Sequence, residues 1–183
     1  EHNIRQEALR LEKIVESVLA LARAENRDKP PTREPLDLAV LLHESLALRE
    51  TRIAAKALRL DLDLPTHAPL HGDRFLLQQA MLNLLDNAID FSATGNMIHL
   101  QLRQVGAQLE LRVRDEGAGI PDYAQARLFE RFYSTPRPDT GQRGTGLGLN
   151  MVEQAARLHN GSITLANHPD GGAEAVLILN VAP

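Results

Sequence analysis

Gln79–Phe91 reads QAMLNLLDNAIDF. Leu77, Met81, Leu84 and Ala88 share one side of a long helix spanning Phe75 to Phe91, the spacing of a stripe that faces a core. Asn83 and Asn87, four residues apart, share another face, and Asp90 lies one step further along it. Asparagine inside a helix is mildly unfavourable because its amide competes for backbone hydrogen bonds. Two on one stripe of a Leu-rich helix fit either a solvated face or a row of amide groups aimed at a metal ion and phosphates.

Downstream, Ile98, Leu100 and Leu102 alternate with polar residues, as do Leu109, Leu111 and Val113, predicting two strands joined by a turn around Gly106. Asp115 keeps the parity of the second strand and therefore points to its core side, where a carboxylate is costly unless it accepts hydrogen bonds. An amino group on a buried ligand would satisfy it. The run Asp115-Glu-Gly117-Ala-Gly119-Ile120-Pro121 lets backbone approach such a ligand closely, though it also suits a tight reversal. A helix is expected over about Tyr123 to Phe132, with Phe129 and Phe132 as packing residues. The segment Ser134 to Arg143 has almost no hydrophobic side chain and is expected to be a mobile lid whose Arg137 and Arg143 could reach phosphate oxygens.

Gly144-Thr145-Gly146-Leu147-Gly148-Leu149 then runs into a helix from near Gly146 to His159. Alternate glycines at a helix N-terminus expose amides and the positive end of the dipole, which suits a polyphosphate. The dinucleotide fold is disfavoured because no parallel βαβ repeat surrounds this loop. A P-loop is disfavoured because no Gly-Lys-Ser/Thr occurs. Ser162–Ala166 and Ala175–Val181 predict a closing hairpin across Asp170-Gly171-Gly172.

Upstream of Gln79, Leu38 to Lys56 reads as a helix, and Leu58, Leu60, Leu62 and Leu64 alternate in a strand ended by Pro65. Asn26 to Pro35, NRDKPPTREP, is polar and proline-rich, a linker that must end any helix before it. That helix runs from Ile4 to about Glu25, with Ile4, Ala8, Leu11, Val15, Val18 and Ala22 in alternating steps of four and three. Such a stripe needs a partner, either the rest of the domain or another helix of a bundle. Strands pairing with sequence neighbours and mixing with helices predict an α+β architecture, one sheet covered by one helical layer.

Composition bounds the function. The 183 residues are 43% hydrophobic and carry a net charge of −4, with no basic stripe of the kind a nucleic-acid partner requires. There are no cysteines, which excludes disulfides, thiol catalysis and Cys-based zinc sites. No apolar run is long enough to span a bilayer. The start, Glu-His-Asn, lacks an initiator Met and the marks of a signal peptide, and reads as part of something longer.

Taken in order, these motifs resemble those of the catalytic, ATP-binding domain of sensor histidine kinases, in the superfamily shared with gyrase, the Hsp90 chaperones and MutL. The N box resembles Asn83-Leu-Leu-Asp-Asn87-Ala, the G1 box Asp115-x-Gly117-x-Gly119-Ile-Pro, the F box Phe129-Glu-Arg-Phe132 and the G2 box Gly144-Thr-Gly146-Leu-Gly148-Leu. The resemblance covers residues 36–183. Residues 1–27 resemble the second helix of the family's dimerisation and phosphotransfer bundle, leaving 28–35 as linker. It implies a two-layer α/β sandwich of the Bergerat type, with a mixed, mostly antiparallel sheet, that binds ATP and Mg²⁺. Asp115 would accept the adenine amino group, bordered by Gly117, Gly119 and Ile120, with Phe91 packed nearby. Asn87 would hold Mg²⁺ against the phosphates, with Asn83 beside it. Gly144, Thr145, Gly146, Leu147, Gly148 and Leu149 would hinge the lid and cradle phosphate.

Two departures stand out. The position three after Asn87 is often Lys or Arg in the family and here is Asp90, an acid in the nucleotide-binding row that is unfavourable beside phosphate unless a metal or arginine intervenes. The family's phosphoacceptor sits in a His-Glu/Asp-x-x-x-Pro context. Neither His2 nor His43, His67, His71, His99, His159 or His168 has it. The resemblance therefore implies a kinase domain that binds nucleotide but does not phosphorylate itself. Gyrase-type relatives carry a general-base Glu where this chain has Asn83, so attack by water should be slow. The parent implied is a bacterial, membrane-anchored homodimer with its catalytic part in the cytoplasm, passing phosphate to a response regulator. The alternative is a nucleotide-binding pseudokinase or an anti-sigma-like binding module.

Overall fold

The structure is a computed structural model describing residues 2–25 and 32–181. Its elements are α1 (His2–Glu25), β1 (Glu34–Asp37), α2 (Leu38–Ala47), α3 (Glu50–Ala55), β2 (Arg59–Asp63), β3 (Pro69–Gly72), α4 (Arg74–Phe91), β4 (Met97–Val105), β5 (Gln108–Asp115), α5 (Asp122–Gln125), α6 (Gly148–Leu158), β6 (Ser162–Asn167) and β7 (Ala173–Asn180). Five strands form one mixed sheet in the order β2-β4-β5-β7-β6. β2 and β4 are parallel, and every other neighbouring pair is antiparallel. This is the sandwich expected from the alternating strands and amphipathic helices.

The period-two pattern sets which face is covered. Ile98, Leu100 and Leu102 of β4, Leu109, Leu111 and Val113 of β5, and Leu177 and Leu179 of β7 are buried beneath the helices. Their alternates, among them His99, Gln101, Arg112 and Glu174, form the polar outer face of the sheet, linked by pairs such as Arg112–Glu174 at 3.0 Å. On the covered side Leu77, Met81 and Leu84 of α4 and Met151, Val152 and Ala155 of α6 complete one core. Asp73 caps α4 by accepting from Leu76 N at 3.0 Å. Its own amide donates to His159 Nε2 at 2.9 Å, which ties the start of α4 to the end of α6.

Several expectations are corrected. The single helix read over Leu38–Lys56 is two, α2 and α3, broken at Leu48–Arg49. The break turns Arg49 and Arg52 towards α4, where both meet Asp86. Two short strands escaped the sequence reading: β1, which begins inside the expected linker, and β3 pair antiparallel from Glu34↔Gly72 to Asp37↔Pro69. Strand pairing is also less local than expected, since β2 reaches β4 across β3 and α4. The helix expected over Tyr123–Phe132 lasts only from Asp122 to Gln125. Turns follow, and Phe132 takes a left-handed backbone (φ 63°) with its amide on Gly146 O at 2.8 Å. Phe132 is not a packing residue but 73% exposed.

α1 lies against α6, with Ser17 and Leu21 buried. The stripe Ile4, Leu11, Val15 and Val18 is exposed. The expected linker falls partly, at residues 26–31, outside the described residues. No helix among the described residues is long and apolar enough to cross a membrane.

Candidate functional site

Between α4, β5, the β6–β7 pair and the segment preceding α6 lies a cavity of about 760 Å³. That volume suits a ligand of nucleotide size. The helical period of α4 puts the half-buried Asn83 and Asn87 on its wall, with the buried Asp86 and Asp90 beside them.

Asp115, the last residue of β5, is buried at 7% exposure and also lines the cavity. Its Oδ1 accepts Gly117 N at 2.8 Å and Ala173 N at 3.2 Å. Burial pushes the Asp115 carboxyl above the usual aspartate range, and the two backbone donors pull against it. Gly172 makes this approach possible: at φ 77° it turns β7 so closely over Asp115 that a Cβ would sit 1.9 Å from its carbonyl oxygen. Beside it, Ile120 is clamped by Asn167, whose Oδ1 accepts Ile120 N at 2.6 Å and whose Nδ2 donates to Ile120 O at 3.0 Å. With Phe91, Leu165 and Ala173 these residues make a mostly apolar end to the cavity containing one carboxylate.

The other end is polar. Gly148, the first residue of α6, packs on Asn83, whose Oδ1 lies 3.0 Å from where a Cβ would stand. Gly146 (φ 71°) passes so near Phe132 that a side chain would meet its backbone at 2.4 Å, which locks the glycine loop to the F-box segment. Asn150 Nδ2 holds Phe129 O at 3.1 Å from the same helix. The expected lid is a small hairpin with a bridge between Pro136 and Arg143, and Arg143 Nη1 donates to Ser134 O at 2.5 Å. Arg137 Nη2 stands 2.6 Å from Asp90 Oδ2, and Lys56 Nζ 2.5 Å from Asp139.

Of the expected site residues, Asn83, Asn87, Asp90, Phe91, Asp115, Gly119, Ile120, Arg137, Arg143, Gly144, Thr145, Gly146, Gly148 and Leu149 all reach this one cavity. Gly117 and Leu147 are not on its wall. Gly117 instead packs on Phe91 O and donates to Asp115, and Leu147 is buried at the start of α6. Arg52, Asp86, Tyr133, Leu165 and Ala173 line the cavity without having been singled out. Leu165 and Ala173 were traceable to their strand parity. Nothing local to Arg52 marked it, because its partners lie 34 and 38 residues away.

The donor set suits Mg²⁺ held jointly with phosphate. Asn83 and Asn87 offer amide oxygens, a hard ligand type, while the nearby carboxylates are occupied by arginines. Among the described residues no cluster of three or more His, Cys, Asp or Glu could hold a metal ion.

The family described as Histidine kinase-, DNA gyrase B-, and HSP90-like ATPase matches residues 72–183. The sensor protein CreC of Escherichia coli is 42% identical over 178 residues, which is 97% of this chain and 37% of CreC. The sensor-like histidine kinase SenX3 of Mycolicibacterium smegmatis is 31% identical over 97% of this chain and 46% of its own. The chain thus spans under half the length of these curated relatives. Among solved structures, the Acinetobacter baumannii histidine kinase AdeS aligns with a TM-score of 0.79 at 26% identity, covering 98% of this chain and 83% of that one. Full-length ShkA in complex with AMPPNP aligns with a TM-score of 0.78 at 26% identity, covering 97% of this chain and 37% of that one.

Proposed function

The chain belongs to the histidine kinase-, DNA gyrase B- and HSP90-like ATPase family, and from that premise we propose that it is the ATP-binding catalytic domain of a two-component sensor histidine kinase, working with Mg²⁺. The observation that carries this reading is a buried carboxylate, Asp115, in the apolar end of a cavity whose other end is lined by Asn83, Asn87 and a glycine-rich helix start.

The geometry supports the following roles. Asp115 accepts the exocyclic amino group of adenine, with Gly119, Ile120 and Phe91 enclosing the ring. The tail runs along α4 towards the N-terminus of α6, whose amides and dipole favour anions. Asn87, with Asn83 beside it, would hold Mg²⁺, which would supply neutralisation of phosphate charge. Asn83 is an amide and no base, and the wall carboxylates Asp86 and Asp90 are held by arginines, so water is not activated and transfer waits for a histidine nitrogen. That nitrogen attacks the γ-phosphorus as the bond to the β-phosphate oxygen breaks, and ADP departs.

The exposed stripe on α1 supports residues 1–27 as one helix of a dimerisation bundle, with 28–35 as linker and 36–183 as the catalytic domain. A response regulator, a homodimeric and membrane-anchored parent, and a cytoplasmic setting for this domain follow from the same reading. The pseudokinase alternative drew on Asp90 as an acid facing phosphate. Its pairing with Arg52 and Arg137 weighs against that alternative.

Titrating the chain with a non-hydrolysable ATP analogue tests the reading, and binding that strengthens on adding Mg²⁺ is expected. Incubation with labelled ATP should leave no acid-labile phosphohistidine, because no histidine of the chain has the acceptor context. Failure to bind at millimolar nucleotide with Mg²⁺ contradicts the assignment, and phosphohistidine on the chain contradicts the division of labour.

A further inference from the structure

Asp86 and Asp90 line the cavity on the same helix as Asn83 and Asn87, so by charge alone they should repel a polyphosphate. Neither stands alone. Arg49 reaches both oxygens of Asp86, at 2.6 and 3.2 Å. Arg52 bridges the two acids, bonding Asp86 through Nη1 and Asp90 through Nη2, the latter at 2.6 Å. Arg137, from the lid, takes the second oxygen of Asp90 at 2.6 Å. Three guanidiniums against two carboxylates give the cluster a net charge of +1, and of the three arginines Arg52 and Arg137 line the cavity.

Asp90 is only 9% exposed, so its ion pairs are less screened than fully exposed ones, the more so for Arg137, whose side chain is 26% exposed, than for Arg52 at 40%. A guanidinium has N–H groups on three nitrogens in a rigid fork. Arg137 engages Asp90 through Nη2, which holds one end of the group and leaves its other N–H donors to a ligand. A long side chain held this way gives up its rotamer freedom before a ligand arrives rather than during binding.

We propose that Asp90 is a positioning residue for the polyphosphate: it seats Arg52 of α3 and Arg137 of the lid at the polar end of the cavity. The inference rests on the nucleotide reading above and predicts a sign opposite to simple charge counting. Neutralising Asp90 removes an anion beside phosphate, yet it weakens ATP binding because two cations lose their seat.

The test measures affinity for a non-hydrolysable ATP analogue with Mg²⁺, and for adenosine, on the full 183-residue chain. The variants are Asp90→Asn, Asp90→Glu, Arg137→Gln and the double Asp90→Asn/Arg137→Gln. Asp90→Asn should raise the Kd for the ATP analogue about tenfold while adenosine changes by less than about twofold. Asp90→Glu should recover most of the loss. Arg137→Gln should show the same phosphate-selective loss, and the double variant should be no weaker than the weaker single. Tighter or unchanged ATP binding in Asp90→Asn overturns the proposal, as does a loss shared equally by adenosine. Should Asp90→Asn not fold, Arg137→Gln decides, and an unchanged preference for ATP over adenosine counts against the seat. A wild-type chain that binds neither ligand overturns the nucleotide reading and this one together; one that binds both without selective loss in the variants overturns this one alone.

Discussion

His159 is committed to one protonation state by its neighbours. It is 1% exposed, Nδ1 faces Ala155 O at 2.6 Å and Nε2 accepts Asp73 N at 2.9 Å, so the neutral ring with its proton on Nδ1 satisfies both. Burial, chiefly, holds its pKa below the ordinary 6.5. The unfolded chain therefore takes up a proton that the folded chain refuses, and stability falls as pH drops through about 6.5 towards the lower folded value. Thermal unfolding should show a lower midpoint at pH 5.5 than at 7.5, and His159→Gln should flatten that difference. A wild-type midpoint that rises on acidification over this range would contradict the assignment. Asn83, Asn87 and Asp115 were legible in the sequence because each broke a local pattern, amides on an apolar helix and an acid on the inward face of a strand. Arg52 obeyed every local rule for a solvated residue, Arg137 stood out only as a lid arginine within reach of phosphate, and only the fold brings both to Asp90.

At the scale of elements, Asp37 holds a corner. It caps α2 by accepting Ala39 N at 3.0 Å and Val40 N at 3.4 Å, and it also accepts Ala68 N at 3.0 Å beside β3. Asp37→Ala leaves these donors to water or to nothing and should cost about 1–2 kcal/mol in denaturant unfolding. Hydrogen exchange should quicken first in β1, β3 and the first turn of α2, and a loss spread evenly over the chain would contradict the local role. Period-two and period-3.6 patterns were enough to place the five strands of the main sheet and the long helices. They failed where tertiary contacts set the backbone. β1 and β3 are four residues each, too short for alternation to register. The helix expected after Tyr123 yields to a left-handed Phe132 held by Gly146. The break between α2 and α3 aims two arginines at α4.

For the whole molecule, one core beneath a mixed sheet fixes the spatial relation between Asp115 on β5, the asparagines on α4 and the glycines before α6. The sequence order of these motifs could suggest a common site but not its depth or polarity. The fold adds an apolar end, a cationic end and a short hairpin on the wall. The claim that the apolar end reads adenine is tested most directly at Asp115. Because Oδ1 already accepts two backbone N–H groups, an asparagine must keep its oxygen there and leave its NH₂ at the Oδ2 position, donor against donor with an adenine amino group. Burial disfavours the charge of Asp115 in the folded state, so Asp115→Asn should fold at least as stably as the wild type at neutral pH. The measurement is calorimetric titration of Asp115→Asn with a non-hydrolysable ATP analogue and Mg²⁺ beside the wild type. A folded variant whose affinity falls by at least about 30-fold is the predicted result, and a folded variant that binds the nucleotide as well as the wild type would contradict the account.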